Sequence, residues 1–466
     1  MKRIGAFMWL TIKTASRSRL VMCLVILLVA VVVMLAVHVE GDGTINGYVR
    51  VLLTYTLSFA IAILSVATMW ACSCAISNEV SSGRIHVVVT KPVRPYEIWL
   101  GTWLGSLVLN FVFLALSMLL IWGYLKYTNL EKFATSGSDS TSPGEVLIGR
   151  KCITPETDKI DKEIKRWQAS AQRQQKKYDS NFLKRFRKYL LARESVVNPG
   201  ETKQWIFDMK ASHPSDKNVL LRINFSTPSV FVRKPVSGLW TISSDQYQDK
   251  FTIGMTNYPC GKHTFVIPGR FVPQSGTVYL TFQNAHVVSN ATDFTTDTVI
   301  FHPDEGVQLL VPHISFENNL VRAGLILLAR LALLSAIAVT LSALFSSPVA
   351  VLTTFSVAIL AFTANFFIYA QQQVARTGED HEHEIRALKS AIIYKVAKEG
   401  LVGIGKITEP ALSPCINDIS RGLAINAHSI YRAWGFAGLL YPALLCIAGS
   451  LIMSRRELAL SCQRGI

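Results

Sequence analysis

Residues 20–37 read LVMCLVILLVAVVVMLAV, an uncharged run of eighteen residues. A helix crossing the hydrocarbon core of a bilayer needs about 20 apolar residues, because lipid offers no partner to a free backbone amide or carbonyl. The flanks of this run are too basic, and its far end too poor in a cleavage site, for a signal peptide. Five further runs follow at 51–76, 98–124, 321–345, 349–370 and 434–453. Half of the 466 residues are hydrophobic and the mean hydropathy is +0.32, with the apolar residues clumped. The expected fold class is an α-helical polytopic membrane protein with six transmembrane helices and an inserted extracytoplasmic α+β domain containing a β-sandwich.

Short-loop charge sets the orientation. Lys2, Arg3, Lys13, Arg17 and Arg19 precede the first span, with no acidic residue among them. Arg84, Lys91 and Arg94 follow the second, and Arg455, Arg456 and Arg464 follow the last. Glu40 and Asp42 lie between spans one and two. The basic segments face the cytoplasm, so both termini are expected inside, in the inner (cytoplasmic) membrane. Residues 126–319 and 371–432 then lie outside. The expected division is 1–125 for spans one to three with a cytoplasmic loop at 77–97, 126–200 for a helical stalk or hairpin, and 201–318 for the β-sandwich. Spans four and five occupy 319–371, an amphipathic outer segment 372–432, and span six with a cytoplasmic tail 433–466.

Within the outer insert, Ile160, Ile164, Trp167 and Ala171 recur at helical spacing, and Phe182, Phe186 and Tyr189 continue the stripe after a break near Asp179. Asn198-Pro199-Gly200 stops it. From 203 to 311 the pattern changes to period two: 219–225, 238–243, 250–255, 263–267 and 277–283 read as short strands separated by turn residues. Asn290-Ala291-Thr292 is a glycosylation sequon, relevant only in a eukaryotic secretory setting.

The net charge of +16 does not point to nucleic acid, because much of it flanks spans and no basic groove interleaved with aromatics is present. Of eight cysteines, Cys152, Cys260 and Cys415 fall outside the spans and the C-terminal tail. A Cys152–Cys260 disulfide is open, but the odd number argues against a dense disulfide framework. Cys72-Ser73-Cys74 lacks metal-ligand spacing and reads as packing. Arg330 lies inside span four, where a charge costs about 2.5–3.5 kcal/mol. It reads either as snorkelling to the outer interface or as facing a pathway or a partner span.

The most informative connector is 78–105, NEVSSGRIHVVVTKPVRPYEIWLGTWLG. A glutamate (Glu79), a glycine four positions on (Gly83), a hydrophobic run at 85–89, Pro92, and a span beginning through Gly101 together resemble the first cytoplasmic loop of ABC type-2 (exporter-type) permeases. Thr102 stands where that family often has Lys. Ala343–Val349 resembles the family's tight turn between spans four and five, Arg455-Arg456-Glu457-Leu458 its usual ending, and Ile419–Ile425 (ISRGLAI) the outer segment before the last span. The resemblance covers the six-span frame and not the β-domain. It implies a coupling helix gripped by a separate ATPase subunit, with Glu79, Gly83, Arg84, Lys91, Pro92, Arg94 and Glu97 as coupling residues. It further implies a second permease chain, a homodimer above all, and no catalytic residue or cofactor on this chain, since ATP and Mg would sit on the partner. A loop too apolar for a free linker, lying at the membrane surface, fits that role.

Two decoys carry less. Gly400-x4-Gly405-Lys406 is followed by Ile407, so the hydroxyl that would hold magnesium is missing. His381 and His383 are two apart, which a helix places on different faces, so 381–384 reads as a solvated charged run and not a metal site. Residues 386–406 are amphipathic and read as an interfacial helix or re-entrant hairpin. Three functions stand: the membrane subunit of an ATP-driven exporter, a mechanotransmission subunit acting on an envelope protein, and a non-transporting receptor whose β-domain binds a ligand.

Overall fold

A computed structural model of the chain describes residues 2–39, 44–81, 94–128, 147–156, 158–173, 180–209, 217–228, 235–246, 249–259, 261–273, 275–285, 297–302, 305–377 and 415–455. These form two compact units, one helical and one rich in β-sheet. The helical unit contains α1 (Lys2–Arg17), α2 (Arg19–His38), α3 (Ile45–Ser81) and α4 (Pro95–Tyr127). After the insert come α7 (Phe316–Leu344), α8 (Ser347–Thr377), the short α9 (Cys415–Ser420) and α10 (Ala427–Arg455). Among the described residues, four helices are long and apolar enough to cross a membrane, and five if the bent pair Arg3–Arg17 and Arg19–Leu35 is one span.

The structure departs from the sequence expectation at several boundaries. The basic stretch before the first apolar run is itself a helix, bent 72° from the next. The break is Ser18, whose extended backbone (φ −69°, ψ 118°) interrupts the ladder between two arginines. The last helix begins at Ala427, ahead of the expected 433, and carries a π-helical stretch over Trp434–Leu440. The fifth expected span lies within one helix, α8, Ser347–Thr377.

Hydroxyl residues are tolerated inside the spans because they bond to the helix's own backbone. Thr56, Thr68, Ser117, Thr340 and Thr354 each donate to the carbonyl four residues earlier, at 2.6–2.9 Å. Small residues on α7 let its neighbours approach closely. Ala332, Ala336, Ala338 and Ala343 share one core with Cys72, Ile76, Trp99, Trp103 and Met453.

The β unit spans Ser140–Ser315 and includes the distant Gly422–Ala424. Its strands are β1 (Ile148–Ile153), β2 (Val196–Val197), β3 (Thr202–Met209), β4 (Val219–Ser226), β5 (Val236–Ser244), β6 (Phe251–Asn257), β7 (Gly261–Ile267), β8 (Gly276–Gln283), β9 (Val299–Phe301) and β10 (Val307–Ser315). One sheet runs β1-β10-β4-β9-β2 with β7 also on β4, and the other runs β3-β8-β5-β6. Period-two burial puts Leu221, Ile223, Phe225 and Phe301 of the first sheet into one core with Phe207, Trp240 and Phe282 of the second. Within the segment 126–200 expected to be helical, α4 continues to Tyr127, and β1 and β2 belong to the sheet. The helices between them are α5 (Asp158–Arg173) and α6 (Ser180–Glu194), stacked through Trp167 on Phe182 and Phe186, with ring centroids 5.3 and 5.1 Å apart.

The outer side of β1 is closed by chain from far downstream. Arg150 donates its amide to Gly422 O and accepts from Ala424 N–H, both at 2.8 Å, which makes a parallel bridge to Leu423. Gly422 turns into it at φ +69°, a conformation open to glycine. Cys152 in β1 is a free thiol whose pKa burial raises, and Cys260 lies outside the described residues. So do Asn290-Ala291-Thr292, 381–384 and 400–407.

A Cβ on Gly238 would lie 2.3 Å from the fully buried Phe282 ring, whereas one on Gly254 in the neighbouring strand meets nothing within 4 Å. Gly238→Ala should destabilise the β unit by about 1–3 kcal/mol through overpacking, and Gly254→Ala should not. Hydrogen exchange of β5 and β8 amides in the intact protein measures the difference.

Candidate functional site

The candidate site is the junction of α3 and α4 around the connector 82–93. Gly83, Arg84, Lys91 and Pro92 lie in that connector, outside the described residues, while Glu79, Arg94 and Glu97 flank it. Glu79 is in the last turns of α3, partly buried, on the wall of a cavity of about 750 Å³. Four helices build the cavity: Thr11 and Ala15 of α1, Trp70 of α3, Thr102 of α4 and Val351 of α8 are among its lining. Most of that wall is apolar, and Asn78 and Glu79 supply its strongest polarity.

Arg94 and Glu97 have internal work. Arg94 is the N-cap of α4 in extended backbone, and Pro95 follows where a helix needs no amide donor. The Arg94 N–H donates to Glu97 Oε2 at 3.0 Å, and the Glu97 N–H donates to Arg94 O at 2.9 Å. Arg3 of α1 lies 3.9 Å from the same carboxylate oxygen. With Arg3 54% exposed, the ion pair adds under about 1 kcal/mol, so the cap is the larger part of Glu97's contribution.

The α1–α4 contact was not read from the sequence, although its signal is there. Gly101 and Gly105 are four apart on α4, the small-xxx-small spacing that lets helices approach closely. A Cβ at Gly101 would meet Phe7 Cβ at 2.4 Å, and one at Gly105 would meet Met8 O and Thr11 Cβ at 2.8 Å. The basic helix α1 is therefore seated on the start of α4, beside the connector.

Behind the junction, both flanking helices are tied to α7. Ser342 Oγ accepts from the Ile76 and Ser77 amides at 3.1 and 3.0 Å. The Trp99 indole donates to Thr340 Oγ1 at 3.1 Å, and that of Trp103 donates to Ala332 O at 2.9 Å. Trp99 is fully buried, and a Cβ on Gly449 of α10 would lie 2.8 Å from its ring. Further along α3 and α4, Thr68 Oγ1 lies 2.7 Å from both Leu64 O and Asn110 Oδ1. One hydroxyl hydrogen cannot serve both acceptors, so the Asn110 amide, turned over, donates to Thr68.

Arg330 stands apart from this junction. It is half-buried in α7, and its charge acts on Cys415 of α9. Burial pushes the Cys415 thiol up, with the Arg330 charge opposing. Burial likewise pushes the Asp418 carboxyl up, against the opposing charge of Arg421. The segment after α9 is clamped to α7 as well: Asn319 Oδ1 accepts from the Ile425 N–H at 2.9 Å, and Arg322 Nη1 donates to Ile425 O at 2.8 Å. The stretch Ile419–Ile425 is thus a splice, with Gly422–Ala424 belonging to the β unit and both flanks to the helical one.

Gly105→Leu should unseat α1 and raise the rate of tryptic cleavage at Lys13 and Arg17 several-fold. Gly123→Leu, on the same helix but with open space around it, should leave the rate unchanged. Timed proteolysis of the membrane-embedded protein reads both.

No family model, curated protein or solved structure matches this chain.

Proposed function

We propose that this chain is the membrane subunit of an ATP-driven transporter of the ABC type-2 class, in which a separate ATPase subunit pushes on the 82–93 connector. The observation that carries the reading is the tying of both ends of that connector to α7. A push on a loop moves the spans only if the helix ends beside it do not yield. Here Ser342 holds the α3 end and Thr340 the α4 end, two residues apart on one buried helix. Buried hydrogen bonds of this kind cost about 1–3 kcal/mol to leave unmade, so the two helices and α7 shift together. In this reading both termini face the cytoplasm, a sixth span is completed by α8, two such chains pair, and ATP and Mg are bound by the partner alone. Glu79, at the end of α3 and on the cavity wall, receives the stroke.

Mechanotransmission is the second reading, favoured by the splice. Among the described residues the chain passes between the units at 315/316, 421/422 and 424/425, so a movement of α7 or α10 is carried to the β unit through covalent backbone at more than one point.

Affinity isolation from native membranes should recover a Walker-motif ATPase with this chain; its absence under conditions that preserve complexes sinks both readings. Glu79→Arg should insert normally, and ATP turnover in proteoliposomes should lose its coupling to function. Normal coupling in that variant removes Glu79 from the mechanism. ATP-dependent vectorial flux selects transport, and turnover without flux selects mechanotransmission.

A further inference from the structure

The hairpin α5–α6 holds an unusual share of the protein's charge. Residues 158–194 contain twelve Lys and Arg against five Asp and Glu, a net +7 out of +16 for the whole chain. The apolar stripes are spent inside the hairpin: Ile160 and Leu190 are buried, and Trp167 stacks on Phe182 and Phe186. The acids present are partly consumed in pairs that brace the two helices, Arg187 with Asp161 at 3.3 Å and Arg193 with Glu163 at 3.4 Å. What faces outward is strongly cationic: Lys162, Lys165, Arg166 and Arg185 are exposed.

Exposed aromatics accompany these charges. Phe182 is 40% and Tyr189 is 62% exposed. Phe182, Arg185 and Tyr189 stand at i, i+3 and i+7, one face of α6. Aromatic rings interleaved with arginine on one helix face form the side-chain set of a membrane–water interface: the rings enter the headgroup layer while the cations meet phosphate. A glycan polyanion would satisfy the charge alone, but the ring–arginine face fits a lipid surface better.

We infer that the α5–α6 hairpin is a docking surface for an anionic phospholipid bilayer. The cations supply the attraction, each adding to affinity near a negatively charged leaflet and each screened by salt. Phe182 and Tyr189 supply the anchoring. This inference rests on the hairpin alone and is independent of the ATP-driven reading.

Hydrogen exchange over 158–194 of the full-length protein tests it in four settings: phosphatidylcholine nanodiscs, nanodiscs with phosphatidylglycerol added, phosphatidylcholine nanodiscs mixed with phosphatidylglycerol-containing vesicles, and phosphatidylcholine nanodiscs mixed with polygalacturonate. The expected result is exchange at least threefold slower in the second or third setting than in the first, reversed by 0.5 M NaCl. Replacing Lys162, Lys165, Arg166 and Arg185 with Gln should abolish the slowing. That variant keeps both ion pairs and the Trp167 stack, so unchanged exchange of the buried Leu190 amide shows that the hairpin still folds. Tyr189→Ser, which leaves the Trp167 stack intact, should weaken the response to lipid and leave any response to polygalacturonate unchanged. No slowing with phosphatidylglycerol in either setting overturns the inference, as does slowing by polygalacturonate alone.

Discussion

The helical unit depends on the burial of Trp99. Its ring has no exposed surface, its indole nitrogen donates to Thr340, and the neighbouring helix carries Gly449 where a side chain would collide with the ring. Three helices thus meet on one side chain. Inside a bilayer there is no hydrophobic reward for helix association, so close packing and a few interhelical hydrogen bonds decide how spans assemble. Trp99 supplies both, just beyond the capped start of α4. The Trp103 indole on Ala332 O and the Ser342 hydroxyl on the Ile76 and Ser77 amides extend the same arrangement around α7. The alanines of α7 are what allow it, since larger residues would hold the tryptophans away.

The β unit solves a different problem with ordinary means. Water is its solvent, and burying Trp240, Phe282, Phe301 and their neighbours between two sheets supplies the driving force. Its edge strand β1 is covered by Gly422–Ala424, so one row of backbone groups is satisfied by chain lying more than 250 residues downstream. Within the β unit Arg150 bonds Gly422 and Ala424, and within the helical unit Asn319 and Arg322 bond Ile425. The hairpin is the exception within this unit: Trp167 stacks on Phe182 and Phe186 between its helices, while Tyr189 and several cations are exposed.

Much of the architecture was legible in the residues. Apolar runs of eighteen or more read as membrane helices because length against hydrocarbon thickness is a one-dimensional criterion. Period two read as strands, and the strands at Val219–Ser226, Val236–Ser244 and Gly276–Gln283 fall where the alternation placed them. The hairpin's stripe was legible from its helical spacing for Ile160, Trp167, Phe182 and Phe186, whereas Tyr189, expected to continue it, is 62% exposed. The site was legible only in outline. Glu79 and Arg94 flank the connector, Glu97 caps the start of α4, and the charge of Arg330 acts on Cys415 elsewhere in the unit.

The sequence by itself determined which segments are apolar enough for lipid and which alternate as strands do, because hydropathy and its period are local quantities that survive any arrangement of the chain. Tertiary structure alone decided which side chains meet: Gly101 and Gly105 as the seat of α1, Thr340 and Ser342 as paired holds on the α3–α4 junction, and Gly422–Ala424 as a strand on β1. These partners lie from about ninety to over 270 positions apart. No periodicity links them, since a hydrogen bond or a close approach between distant segments depends on where packing brings the backbone.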